Sequence, residues 1–177
     1  SVEVIPGSNP AFGRNTLGGA ISLQTKSGFS HPGLELQGGG ASYQRLLGSA
    51  SYGGNNGRLG YFVALEGLDE EGWRDFSSSN AFQGFGKLTY LRENTVANLS
   101  LTGARTDLRG NGAVPVELLA LDRDAVFTHP DNTQNTMGMA TLQVRHRLSD
   151  VVRLSGTAYG RITQTDTFNG DDSDYGP

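Results

Sequence analysis

The sequence predicts an all-β fold, a partial transmembrane antiparallel β-barrel of about seven strands. Three observations carry this. From near Gly33 onward, segments of about ten residues alternate apolar and polar side chains. Successive side chains on a strand point to opposite faces, so such a segment has one apolar and one polar face. The segments are about twice the roughly 5–6 residues typical of strands in soluble sandwiches. They match the roughly 9–11 residues with which a tilted strand crosses a bilayer. Finally, the connections alternate short and long, as the turns and loops on the two sides of an outer-membrane barrel do.

Taken in order, Val2–Ile5 and Ala20–Thr25 are short β segments separated by the glycine- and asparagine-rich turn region PGSNPAFGRNTLGG. Ser27–Pro32 reads as a linker. The first long strand is about Leu34–Tyr43 and the second Arg45–Tyr52, joined by a tight turn. Gly53–Gly57 is a hairpin turn of a composition that accepts positive φ. The third strand, about Arg58–Leu68, leads into a longer loop, Asp69–Ser79, that contains Trp73. The fourth, Asn80–Leu91, turns at Arg92–Asn94 into the fifth, Thr95–Asp107. The longest connection, about Leu108–Gln134, follows, with Leu118, Leu119 and Leu121 suggesting a helical turn. The sixth strand, Asn135–Leu148, turns at Ser149–Asp150 into the seventh, Val151–Thr165. Links after the second, fourth and sixth strands are short. Those after the third, fifth and seventh are long, and the short link after the first breaks the parity once.

Alternation assigns the faces. Leu59, Tyr61, Val63 and Leu65 share one side of the third strand, opposite Glu66. On the remaining strands Leu88, Leu99, Leu101, Leu142, Val144 and Leu154 are expected to face lipid. Lys87, Arg145, Arg153 and Arg161 are expected to face the lumen. A charge on the lipid side costs roughly 2–4 kcal/mol at the midplane. His146 alone is expected on the lipid side, near the short-turn end. Tyr52, Tyr61, Phe82 and Tyr90 are candidate girdle aromatics. An odd count of seven strands requires further strands C-terminal to this segment, since bacterial single-chain barrels have even counts and no open edge in hydrocarbon.

The bulk numbers fit this reading. The chain has 177 residues, 26 glycines, no cysteine, a net charge of -4 and 36% apolar residues. No apolar run reaches the roughly 20 residues of a transmembrane helix. No basic stripe suggests nucleic acid. The chain starts in mid-pattern without methionine or signal peptide, as a processed piece or fragment would. No catalytic grouping is recognisable, and no Gly-x-x-x-x-Gly-Lys-Ser/Thr cradle is present. His31, His129 and His146 are scattered and imply no metal site. Asp171, Asp172 and Asp174 miss the spacing of a calcium loop and read as an exposed acidic loop. No cofactor is expected.

The segment EVIPGSNPAFGRNTLGGAISLQTKSG resembles the C-terminal end of the plug domain of TonB-dependent outer-membrane receptors. The matching positions are Phe12-Gly13, Leu17-Gly18-Gly19, Ile21 and Thr25-Lys26, with Arg14-Asn15-Thr16 fitting in length. The stretch VELLALDRDAVFTHPDNTQNTMG also looks like the third extracellular loop of the branch that includes ferric-citrate-type receptors. The resemblance implies residues 1–28 as the end of a plug and 29–177 as the N-terminal part of the barrel. It implies energised uptake of a scarce ligand, most often a ferric siderophore or ferric chelate, through TonB and not by enzyme chemistry. The partners implied are TonB, the ferric ligand, and outer-membrane lipid and lipopolysaccharide, with a monomer at full length. The competing function is a passive porin or barrel adhesin, for which a glycine-rich β segment ahead of the first strand has no use. A soluble β-sandwich lectin would need shorter strands with apolar faces turned inward.

Within this reading the long loop is the ligand candidate, through Arg109, Asn111, Asp122, Arg123 and His129. Loops beyond about 12–15 residues are usually functional or disordered. Cations there suit an anionic chelate. Glu66 faces the lumen and needs a partner, because an unpaired buried charge costs several kcal/mol. Arg14 is the plug arginine that this chain offers as a plug–barrel contact.

Overall fold

A computed structural model describes residues 2–7, 18–110 and 112–170. The elements in order are β1 (Val2–Pro6), β2 (Gly19–Leu23), β3 (Gly33–Ala41), β4 (Arg45–Asn55), β5 (Leu59–Glu70), β6 (Ser79–Arg92), β7 (Thr95–Arg109), α1 (Val116–Leu121), β8 (Asp131–Arg147) and β9 (Arg153–Asn169). β1 and β2 form a two-stranded antiparallel sheet. β3 to β9 form a second sheet of seven antiparallel strands, each paired with its neighbour in sequence. The meander expected from the spacing of turns is therefore the observed topology, and the leucine cluster after Pro115 forms the expected helical turn.

Element ends differ from expectation in an informative way. β4 continues to Asn55, so the hairpin turns at residues 56–58 and not across Gly53–Gly57. Asn56 explains the tighter turn. Its side-chain oxygen accepts hydrogen bonds from the backbone N–H groups of Arg58 (3.1 Å) and Leu59 (2.8 Å), and Gly57 takes φ +85°. At the other end of the sheet β8 begins four residues early, at Asp131, and β9 runs to Asn169. These extensions are polar, so hydrophobic alternation could not mark them.

The hydrogen-bond register arranges side chains in rows across the sheet. On one face, called outer here, successive rows are Leu59, Tyr90, Ala97, Val144; then Tyr61, Leu88, Leu99, Leu142; then Leu34, Tyr52, Val63, Leu101, Ala140; then Leu36, Ala50, Leu65, Ile162. These rows contain no charge. The opposite, inner face carries Glu35, Gln37, Glu66, Gln83, Lys87, Ser100, Arg145 and Arg161 in the same register.

Burial is inverted relative to a water-soluble domain. Leu101 is 55% and Leu65 46% exposed on the outer face, whereas Phe62, at 3%, is the buried large hydrophobic among the described residues, and it lies on the inner face. Charge on the outer face is not confined to His146. Arg105 lies two steps beyond Leu101, and Asp69, Asn80, Asp107, Gln134 and Asp166 form the row after it. Strand length is the cause: β7 to β9 extend past the apolar rows, and the alternating pattern turns polar there. Tyr90 and Phe82 stand toward the two ends of the apolar rows, as girdle aromatics would. Tyr52 and Tyr61 stand inside them, with ring centroids 5.8 Å apart.

Candidate functional site

The inner face is not bare. The chain leaving β2 crosses it before entering β3. Lys87 donates to Thr25 Oγ1 (2.9 Å), Lys26 pairs with Glu35 (3.1 Å), and Gln37 donates to the other oxygen of Glu35 (2.7 Å). A turn follows in which Ser27 and Ser30 exchange backbone and hydroxyl hydrogen bonds. The turn is pressed onto the wall at glycines. Gly28 is buried, its carbonyl accepts from Asn55 Nδ2 (2.9 Å), and a Cβ there would run into the backbone oxygens of Gly54 and Tyr61. Gly60 leaves room for the Phe29 ring, and Gly53 leaves room for the His31 carbonyl. Phe62 closes the site from the wall, with the Phe85 ring centroid 6.3 Å away.

Above this junction the inner wall forms a concavity of about 350 Å³, lined among others by Lys26, Glu35, Glu66, Gln83 and Phe85. The Glu66 carboxylate accepts from Gln83 Nε2 (3.1 Å), and among the described residues no cation pairs with it. Its expected partner Arg14 lies outside the described residues, as do Phe12, Gly13 and the rest of the plug-like turn through Leu17.

The three connections at the long-loop end are tied together. The β3–β4 turn has Tyr43 and Gln44 at positive φ (63° and 55°), an uncommon conformation for residues other than glycine. It is held from the next loop: Glu71 N donates to Tyr43 O (3.2 Å), Gln44 Nε2 donates to Glu71 Oε2 (2.6 Å), and Arg45 pairs with Glu70 (3.6 Å). The β5–β6 loop in turn docks on the β7–β8 loop. Asp75 N donates to Asp124 O (2.9 Å), and the Phe76 ring stacks on His129 at 4.3 Å and 2°. Arg74 lies over the Trp73 ring at 4.8 Å. The neck of the long loop closes where Gly110 N donates to Asp131 O (2.8 Å).

The ligand candidates do not converge on one point. His129 is part of the loop-to-loop stack. Asp122 caps α1, its N–H donating to Leu118 O and its carboxylate accepting from Asp124 N (3.0 Å). Arg123 is exposed beside it. Arg109 ends β7 opposite Asn132, on the outer-face row beyond Asp107. Asn111 lies outside the described residues, as do Asp171, Asp172 and Asp174. His31, His129 and His146 are dispersed, and no group of metal-ligating side chains gathers among the described residues. Sequence reasoning missed Asp75 and Phe76 as partners of the long loop. An aromatic-rich loop of the same parity was the available signal.

The crystal structure of the siderophore receptor PiuA from Acinetobacter baumannii matches with a TM-score of 0.69 at 20% sequence identity. The match covers 94% of this chain. This chain has the fold of part of a siderophore receptor. It spans 26% of that receptor's length. No protein-family model matches the chain, and neither does any curated protein sequence. No helix among the described residues is long and apolar enough to cross a membrane, which leaves crossing by strands untouched.

Proposed function

We propose that this chain is a segment of a TonB-dependent receptor of the outer membrane that takes up a ferric siderophore or another ferric chelate. Residues 1–28 are the end of its plug and residues 29–177 the first strands of its barrel. The outer rows face lipid, the short turns face the periplasm and the three tied loops face outward. The observation that carries this over a passive porin or adhesin is the segment from Thr25 to His31 laid across the inner wall. It is fixed there by Lys87, Asn55 and a glycine-lined seat. An open pore gains nothing from chain inside its wall, whereas a plugged barrel must join its plug to its first strand there.

The tied loops are the proposed ligand side, with Asp122, Arg123 and His129 in the long loop and Arg109 at its base; Asn111, the remaining candidate, lies outside the described residues. Glu66 is the proposed wall contact for a plug arginine, Arg14. The test is uptake of labelled ferric chelates by cells producing the full-length protein. Saturable uptake at sub-micromolar ligand that stops when a protonophore collapses the proton gradient is expected. Uptake that is linear in ligand concentration and indifferent to the protonophore would assign a passive pore instead.

A further inference from the structure

We infer that the short-turn rim of the sheet docks anionic phospholipid headgroups of the periplasmic leaflet, with Arg58 and Arg92 as the contacts. The inference rests on the membrane reading above. Charge is segregated along the strands. Arg58, Arg92, Arg145, Arg147 and Arg153 cluster at the short turns, where the acidic residues are Glu93 and Asp150. At the opposite ends acidic side chains outnumber basic ones, with Glu70, Glu71, Asp75, Asp122 and Asp124 among them.

No rim cation is held in an ion pair among the described residues: the pairs there are Lys26–Glu35 and Arg45–Glu70, and neither involves the rim. Arg147 donates to Asn94 Oδ1 (3.0 Å), yet it stands directly opposite Arg153 in the register. Like charges in that relation are destabilising. A rim so built attracts anions.

Position selects the anion. The last apolar outer row holds Leu59, Tyr90, Ala97 and Val144. The next outer row, two residues or roughly 6.6 Å further along the strand, holds Arg92, Thr95 and His146. Tyr90 and Arg92 therefore follow one another on one face, an amphipathic ring at the edge of the apolar rows and a guanidinium just beyond it. Arg58 is brought alongside by the bond from Leu91 N to Arg58 O (2.7 Å). Between them lies a hollow of about 550 Å³, bordered by Gly57, Arg58, Tyr90, Arg92 and Glu93. Guanidinium groups bind phosphate oxygens in paired hydrogen bonds. Apolar rows, then an aromatic ring, then two guanidiniums is the order in which a phospholipid presents acyl chain, glycerol ester and phosphate. A free anion would need only the last.

The experiment uses the full-length protein, purified in detergent and shown to be folded by its heat-modifiable migration. Native mass spectrometry reads retention of phosphatidylglycerol against phosphatidylcholine. Attraction to a basic residue near an anionic surface is worth about fivefold, equivalent to about 1 kcal/mol. We expect a preference of about tenfold or more for phosphatidylglycerol. It should fall below about twofold in R58Q/R92Q, return in R58K/R92K, and stay unchanged in R105Q, toward the opposite end of the sheet. Equal retention of both lipids by the unaltered protein, or a preference that survives R58Q/R92Q, overturns the inference. Loss of the preference on adding millimolar inorganic phosphate assigns the site to free phosphate and also overturns it. Failure of the protein to enter vesicles of either lipid would instead refute the membrane reading itself.

Discussion

Gly28→Ala adds one methyl group where the chain meets the inner wall, and its cost can be worked through. The new Cβ would collide with the backbone oxygens of Gly54 and Tyr61. Both belong to the β4–β5 ladder and cannot swing aside as a side chain would. Overpacking of this kind costs about 1–3 kcal/mol. Relieving it lifts residues 27–31 and breaks the bond from Asn55 Nδ2 to Gly28 O, worth about 1 kcal/mol. Alanine returns about 0.4–1 kcal/mol by restricting the unfolded chain. The net is about 2 kcal/mol, or about a 30-fold rise in the fraction of molecules with this segment detached. Lys26 provides the readout, because trypsin can cut after it only when the segment leaves the wall. Cleavage follows the open population when opening and closing outpace the protease. Cleavage after Lys26 in the full-length protein in membranes should therefore quicken by about 30-fold. Gly48→Ala, in β4, meets nothing within 4 Å and should leave the rate unchanged. Equal rates for Gly28→Ala and the unaltered protein would refute the glycine-seat account.

Leu101→Arg should impair insertion into vesicles by about 2–4 kcal/mol, the cost of a charge at the bilayer midplane on the proposed lipid side, and Ser100→Arg on the inner face should not; similar folding yields would refute the proposed facing. Phe76→Ala removes the stack on His129, worth about 0.5–1.5 kcal/mol, and should raise hydrogen exchange across residues 124–130 by a few-fold; unchanged exchange would show that the loops do not depend on each other. Replacing residues 112–129 by a short Gly-Ser link, leaving the Gly110–Asp131 neck, should preserve surface expression and abolish high-affinity uptake. Normal uptake at sub-micromolar ligand would remove the long loop from the ligand site.

The strands, their order and their facing were legible because period-two alternation is a local property. It is strongest where the outer side chains must be apolar, as at Leu99, Leu101, Leu142 and Val144. It fails beyond Phe82 and Ile162, where the outer rows become polar, so the upper ends of β8 and β9 were placed short. The β3–β4 turn was unreadable in detail because Tyr43 and Gln44 take a conformation that usually announces itself with glycine or asparagine. The seat at Gly28 was read as a linker. Its signal is split between the short segment Ser27–His31 and glycines at 53 and 60, which only the register brings together. The interlock of Phe76 with His129 is likewise a contact between separate loops, with no periodicity to reveal it.

The polar outer rows above the apolar ones have a mechanical meaning. Beyond Leu101 and Ile162 the ladder continues through Arg105–Thr136 and Asp107–Gln134, and Gln134 donates to the Asp107 carboxylate (3.0 Å) on its flank. Two such rows amount to roughly 13 Å of fully hydrogen-bonded sheet beyond the apolar rows. Bending of the long loop is therefore displaced outward, to the Gly110–Asp131 neck, while everything beneath it behaves as a stiff pedestal. Strain applied to the loops would travel down this pedestal into the wall that seats Gly28, with no soft joint between the two.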